Sequence, residues 1–191
     1  MRPAEITNPM SGKLRSSDSN IVLTGFMGTG KSSVARELSH LLGRTVVDID
    51  AEIEKKTGKS ISAIFAESGE PRFREIETET TREVARGKNR IISTGGGVVL
   101  RAENMESLRS SGVVFCLYAT PEAILERTIA NRDRPLLQTS DPLGRIRELL
   151  TARDPYYKNS CDHMINTLGK TPKEVAMEIS EIFCKTAEKQ R

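Results

Sequence analysis

An α/β fold built on a mainly parallel sheet of five strands is what this sequence predicts. Short β-branched runs alternate with longer amphipathic segments, as successive βαβ units require. A glycine-rich turn joins the first such run to a helical pattern. The 191 residues provide for one α/β core of fair size and fall short of two.

The elements follow in chain order. Residues 1–19 are polar, lack the apolar stretch of a secretory signal, and are expected to form a disordered leader to a single domain over 20–188. Ile21 to Thr24 is the first candidate strand. In the segment KSSVARELSHLL, Val34, Leu38, Leu41 and Leu42 fall at i, i+4, i+7 and i+8, the spacing of a helix laid on a sheet. Further strands are expected at Thr45 to Asp48, Arg90 to Ser93, Val113 to Tyr118 and His163 to Ile165. Val175, Ile179, Ile182 and Phe183 repeat the helical spacing near the C-terminus. The stretch from Asn131 to Pro142, NRDRPLLQTSDP, carries charge, two prolines and no apolar period. It reads as a loop of the kind used for lids and binding.

Composition narrows the function classes. With 37% apolar and 29% charged residues the chain fits neither a disordered nor a membrane class. A net charge of +3 is too small to point to nucleic acid, so acidic small molecules are the expected partners of its arginines. Cys116, Cys161 and Cys184 form no C-x-x-C pair, which suggests neither a disulfide framework nor a zinc site and fits a reducing cytosol. Cys116, inside VVFCLY, reads as a core residue. No exposed apolar stripe is evident, and a monomer is expected.

Residues 25–32 read GFMGTGKS and match G-x-x-x-x-G-K-[ST] between a strand and a helix. Glycines at 25, 28 and 30 let the backbone turn its N–H groups onto phosphate oxygens, and the helix start adds its positive end. Lys31 is placed to reach the β- and γ-phosphates of a nucleotide, and Ser32 to ligate Mg²⁺; Thr29 and Ser33 complete the nucleotide-binding stretch. Asp48 and Asp50, in VVDIDAEI, fall at the C-terminal end of a strand, the edge where open α/β sheets bind ligands. One carboxylate there suits a Mg²⁺-bound water and another the proton of an attacking hydroxyl; a helix N-cap is the structural alternative for Asp50. Gly95, Gly96 and Gly97 follow a strand directly and suggest either close backbone approach to a ligand or a plain turn. Arg74, Arg134 and Arg153 read as solvated charges or as paired donors for carboxylate and phosphoryl oxygens.

Taken together and in order, these motifs resemble shikimate kinase from about Asn20 to Phe183. The resemblance implies a P-loop kinase three-layer sandwich of nucleoside monophosphate kinase type, with a substrate-binding segment at about 49–77 and a lid at about 129–142. It implies ATP and Mg²⁺, and the phosphorylation of shikimate to shikimate 3-phosphate on the route to chorismate and the aromatic amino acids. It makes Lys31, Asp50 and Arg134 catalytic. Asp48 would meet the metal through water, and Asp50 the hydroxyl that is phosphorylated. Phe73 and Arg74 match the family's F-R pair, whose arginine binds the substrate carboxylate; Arg153 matches the second carboxylate-binding arginine, and Gly95, Gly96 and Gly97 the substrate loop. Arg134, in R-x-R-P-L-L, matches the lid arginine, and Arg127 a residue near the adenine. Where the family often has aspartate after the last strand, this chain reads HMINTLGKTP, which makes Asn166 and Thr167 its nucleotide contacts there. A gluconate-type kinase would also need a phosphate cradle and arginines, but not the combined D-x-D, F-R and G-G-G set. A nucleotide-driven switch would need a partner surface in place of a hydroxyl-activating carboxylate.

Overall fold

The computed structural model describes residues 18–128 and 139–189. The element order is β1 (Asn20–Thr24), α1 (Lys31–Leu42), β2 (Thr45–Asp48), α2 (Ile49–Thr57), α3 (Ile61–Ala85), β3 (Arg90–Ser93), α4 (Ala102–Ser111), β4 (Gly112–Tyr118), α5 (Pro121–Thr128), α6 (Pro142–Ser160), β5 (His163–Asn166) and α7 (Pro172–Lys189), with a 3-10 turn at Val98–Leu100 before α4. The strands form one parallel sheet in the order β2-β3-β1-β4-β5. The five expected strands are all present, three of them one residue longer than the sequence pattern indicated.

β1 lies at the centre, with Ile21 registered against both Ile91 and Val113. Because side chains alternate across a strand, the sheet sorts its apolar residues into two layers. Val22, Ile92, Val114 and Cys116 pack on one face with residues of α2, α3 and α6. Ile21, Leu23, Ile91, Phe115 and Leu117 pack on the other with α1 and α7. Helices on both faces make the three layers expected of a parallel sheet.

Three local expectations are corrected. Leu41 is exposed, because α1 turns Val34, Ala35 and Leu38 inward, with Leu42 following, and that stripe leaves Leu41 on its flank. Pro142 is not the end of a loop but the first residue of α6, where its missing N–H costs no helix bond; Asp141 caps the helix, accepting from the Gly144 N–H at 2.9 Å. Residues 1–17 lie outside the described residues. Asp18 and Ser19, assigned to the leader, are packed: the Asp18 carbonyl accepts from the Asn89 N–H, and the Ser19 carbonyl from Arg44.

Candidate active site

The chain leaves β1 at Thr24 and turns through Gly25 and Gly28, both at positive φ, before α1 begins. A side chain at Gly25 would collide with the Leu117 carbonyl, and one at Gly28 would lie 2.7 Å from the Thr128 methyl, so only glycine lets the loop sit this close to β4 and α5. Thr29 ties the turn by donating to the Phe26 carbonyl at 2.7 Å. The Lys31 ammonium is nearly buried and donates to the Gly25 and Phe26 carbonyls at 2.8 and 3.0 Å. No side chain caps the start of α1, and Ser32 and Ser33 are exposed in its first turn. The opening N–H groups and positive end of this twelve-residue helix therefore face the loop, as anion binding requires.

Asp48 ends β2, and its side chain caps α2, accepting from the Asp50 and Ala51 N–H groups at 3.0 and 3.2 Å. The N-cap reading thus falls on Asp48 and not on Asp50, because Asp48 is the residue that keeps extended φ/ψ before the helix. Asp50 stands in the first turn of α2, against Gly95. A Cβ on Gly95 would lie 2.7 Å from Asp50 Oδ1 and 3.3 Å from Glu77 Oε1, so the glycine permits two carboxylates to close on the backbone.

Arg74 projects from α3 into an acidic clamp, with Nη1 to Glu77 at 2.7 Å and Nη2 to Glu70 at 2.9 Å. Its guanidinium lies where a side chain on Gly97 would have to be. Glu77 is fully buried. Burial pushes its carboxyl above the ordinary glutamate value and Arg74 offsets only part of that; for Arg74, burial pulls down but the two glutamates prevail and raise it. Arg153, buried on α6, holds its guanidinium 5.8 Å from the ring centroid of Phe26 in the P-loop. One turn on, the Tyr157 hydroxyl donates to the Gly96 carbonyl at 2.6 Å.

A cleft of about 420 Å³ runs along the P-loop, the two aspartates and the glycine loop, lined by residues 27–34 of the loop and α1 together with Asp48, Asp50, Gly95, Gly96 and Arg127. Arg127 is held at the far end by Thr167, through Nη1 to Oγ1 and Nη2 to the carbonyl, both at 3.0 Å. Asn166 is exposed at the end of β5, where its side chain accepts from the Leu168 N–H. Arg74, Gly97 and Arg153 do not line this cleft: Arg74 stands against Gly97, and Arg153 over Phe26. Arg134 and most of the expected lid lie outside the described residues.

A family model for shikimate kinase matches residues 27–184. The chain belongs to the shikimate kinase family. It is 51% identical over 160 residues to the shikimate kinase of Thermodesulfovibrio yellowstonii, covering 84% of this chain and 92% of that one. To the shikimate kinase of Caldanaerobacter subterraneus it is 45% identical over 166 residues, with coverages of 87% and 96%. A solved shikimate kinase of Acinetobacter baumannii in complex with shikimate superposes with a TM-score of 0.85 at 40% identity, covering 88% of this chain and 94% of that one. Among the described residues no helix is long and apolar enough to cross a membrane.

Within this shikimate kinase site, sequence reasoning missed Glu77 and Tyr157. Each follows an arginine that was singled out, Glu77 at i+3 from Arg74 and Tyr157 at i+4 from Arg153, and residues so spaced share a helix face. That spacing was the available signal.

Proposed function

We propose that this chain transfers the terminal phosphoryl group of ATP to the 3-hydroxyl of shikimate, giving shikimate 3-phosphate on the route to chorismate, and that it works as a cytoplasmic monomer. The observation that carries this reading is the convergence of three features: a P-loop with an uncapped helix behind it, Asp50 pressed against Gly95 in the same cleft, and, beside that cleft, the half-buried Arg74 of α3 against Gly97 and the buried Arg153 of α6 over Phe26. The loop N–H groups, the start of α1 and Lys31 suit the phosphates, while Arg127 and Thr167 flank the place for the base. Arg74 and Arg153 suit the substrate carboxylate, since each offers paired donors in a fixed plane.

Mg²⁺ fits the cleft: Asp48 and the exposed Ser32 both line it, a carboxylate and a hydroxyl that are hard oxygen donors of the kind this ion accepts while keeping several waters and the nucleotide phosphates as further ligands. Ser32 would hold it directly and Asp48 through water; bound there, it neutralises charge on the phosphate oxygens. Asp50 accepts the hydrogen of the attacking hydroxyl and takes the proton as the oxygen bonds to phosphorus. Catalysis is then mainly positioning and charge neutralisation, with Lys31 on the phosphoryl oxygens.

Substitution separates chemistry from binding. Asp50→Asn keeps the shape and one hydrogen bond but loses basicity, so kcat should fall by roughly 10²–10⁴ fold while shikimate still binds by calorimetry. Arg74→Lys and Arg153→Lys keep the charge but lose the fork, so KM for shikimate should rise by about 10-fold or more while that for ATP stays within about 2-fold. Normal turnover of Asp50→Asn, or arginine variants that lose only ATP affinity, would refute this placement of the substrate.

A further inference from the structure

Gly95, Gly96 and Gly97 each direct a carbonyl to a partner. The Gly95 carbonyl accepts from the Val98 N–H at 3.3 Å and the Gly97 carbonyl from the Leu100 N–H at 3.0 Å, both within the same turn. The Gly96 carbonyl is different: it accepts from the Tyr157 hydroxyl, 61 residues away on α6, at 2.6 Å. Among the described residues the N–H groups of the three glycines have no acceptor. In a trans peptide the C=O and the following N–H point in opposite directions, and no peptide bond here is cis. Holding the Gly96 carbonyl towards α6 therefore turns the Gly97 N–H away from α6.

Three further observations place this contact at the junction of the site. A Cβ on Gly96 would lie 3.3 Å from the Met27 nitrogen, so the peptide that Tyr157 grips rests on the P-loop. Arg153 and Tyr157 are successive turns on one face of α6, both buried, and the Arg153 guanidinium is also over the ring of Phe26. Burial pushes the Tyr157 phenol up, with the charge of Arg153 beside it offsetting part of this, so the hydroxyl stays protonated and remains a donor.

We propose that Tyr157 is a positioning residue for the acceptor substrate: its hydroxyl fixes the Gly96–Gly97 peptide so that the loop presents its N–H groups to shikimate in register with Arg153. Glycines have no side chain to fix their own conformation, and a loop of three gains order only from its partners. One strong tertiary bond from a rigid, buried ring supplies that order at small entropic cost. The inference rests on the proposed shikimate kinase activity, and it assigns Tyr157 no contact with the reacting atoms.

The test is Tyr157→Phe, which keeps the ring and its packing and removes only the donor. Steady-state kinetics are measured with each substrate varied, alongside thermal unfolding of the variant and of the wild type. We expect KM for shikimate to rise by about 5- to 20-fold, the loss typical of one buried hydrogen bond, while KM for ATP stays within about 2-fold. A double-mutant cycle with Arg153→Lys should be non-additive in KM for shikimate, because the two side chains act on one loop and one substrate. Unchanged constants for both substrates would overturn the proposal. So would a parallel loss for shikimate and ATP accompanied by a lowered Tm, since that pattern marks general loosening of the fold. Wild-type protein that releases no ADP in response to shikimate would refute the proposed activity itself, which is a separate result from a silent Tyr157→Phe.

Discussion

Glu77 is a carboxylate placed where burial works against its charge, and Arg74 is the group that keeps it there. Its pKa in the folded chain lies above the ordinary glutamate value, so the protonated form binds the fold more favourably than the ionised one. The stability it contributes is complete below pH about 4, and is lost as pH rises through its raised pKa. Glu77→Gln removes this titration and a buried charge while keeping the side chain's shape. The Tm of the wild type should therefore decline relative to that of Glu77→Gln as pH is raised from about 4, and parallel Tm profiles would contradict the account. Arg74 was legible in the sequence because it sits in a motif with Phe73. Glu77 was not, because α3 also carries Glu67, Glu70, Glu75, Glu79 and Glu83, and an acid beside an arginine on such a helix reads as an exposed ion pair. Only the packing of α3 against Gly95 reveals that this one is buried. Asp48 is a similar case: strand and helix patterns place it at the junction of β2 and α2, but which aspartate of the D-x-D caps the helix depends on where the backbone leaves the extended region.

At the scale of elements, α3 is broken at Gly69, whose φ of 75° and ψ of 172° are available to glycine almost alone. The break lets Pro71 enter the opening turn of the second half, where it forfeits no helix bond, and it sets the direction of the turn that carries Phe73 and Arg74. An added Cβ would meet only the Pro71 ring at 3.6 Å, so the cost of Gly69→Ala is in the backbone and not in a clash. That cost is about 1–3 kcal/mol, which should lower Tm by roughly 3–10 °C in a chain of this size. KM for shikimate should rise with it, because Arg74 follows in the next turn, and ATP binding should be spared. A variant with unchanged Tm and unchanged KM would show that the break is incidental. The loop from Gly25 to Ser32 was legible because its chemistry is local, with glycines, lysine and serine in eight consecutive positions between a strand and a helix. The hold of Tyr157 on Gly96 was not, because it joins elements 61 residues apart and no short pattern records it.

For the molecule as a whole, the number and type of strands followed from alternating apolar runs, but their order did not. The sequence β2-β3-β1-β4-β5 arises when the faces of Val22, Ile92 and Val114 and of Ile21, Ile91 and Phe115 each find a helical layer, and periodicity alone is blind to which strand lies beside which. That order puts the ends of β1, β2 and β3 side by side, so the P-loop, Asp48 and the glycine loop meet at one edge of the sheet, where α/β folds bind ligands. On the proposed function, the nearby arginines of α3 and α6 would give this edge an acceptor end as well as a nucleotide end. The measurement that tests this most directly is ADP release from Mg-ATP by the purified chain, followed with shikimate, with gluconate and with neither. Release should depend on shikimate and yield a product phosphorylated at the 3-hydroxyl. Release driven by gluconate, or a rate that shikimate leaves unchanged, would contradict the proposed activity.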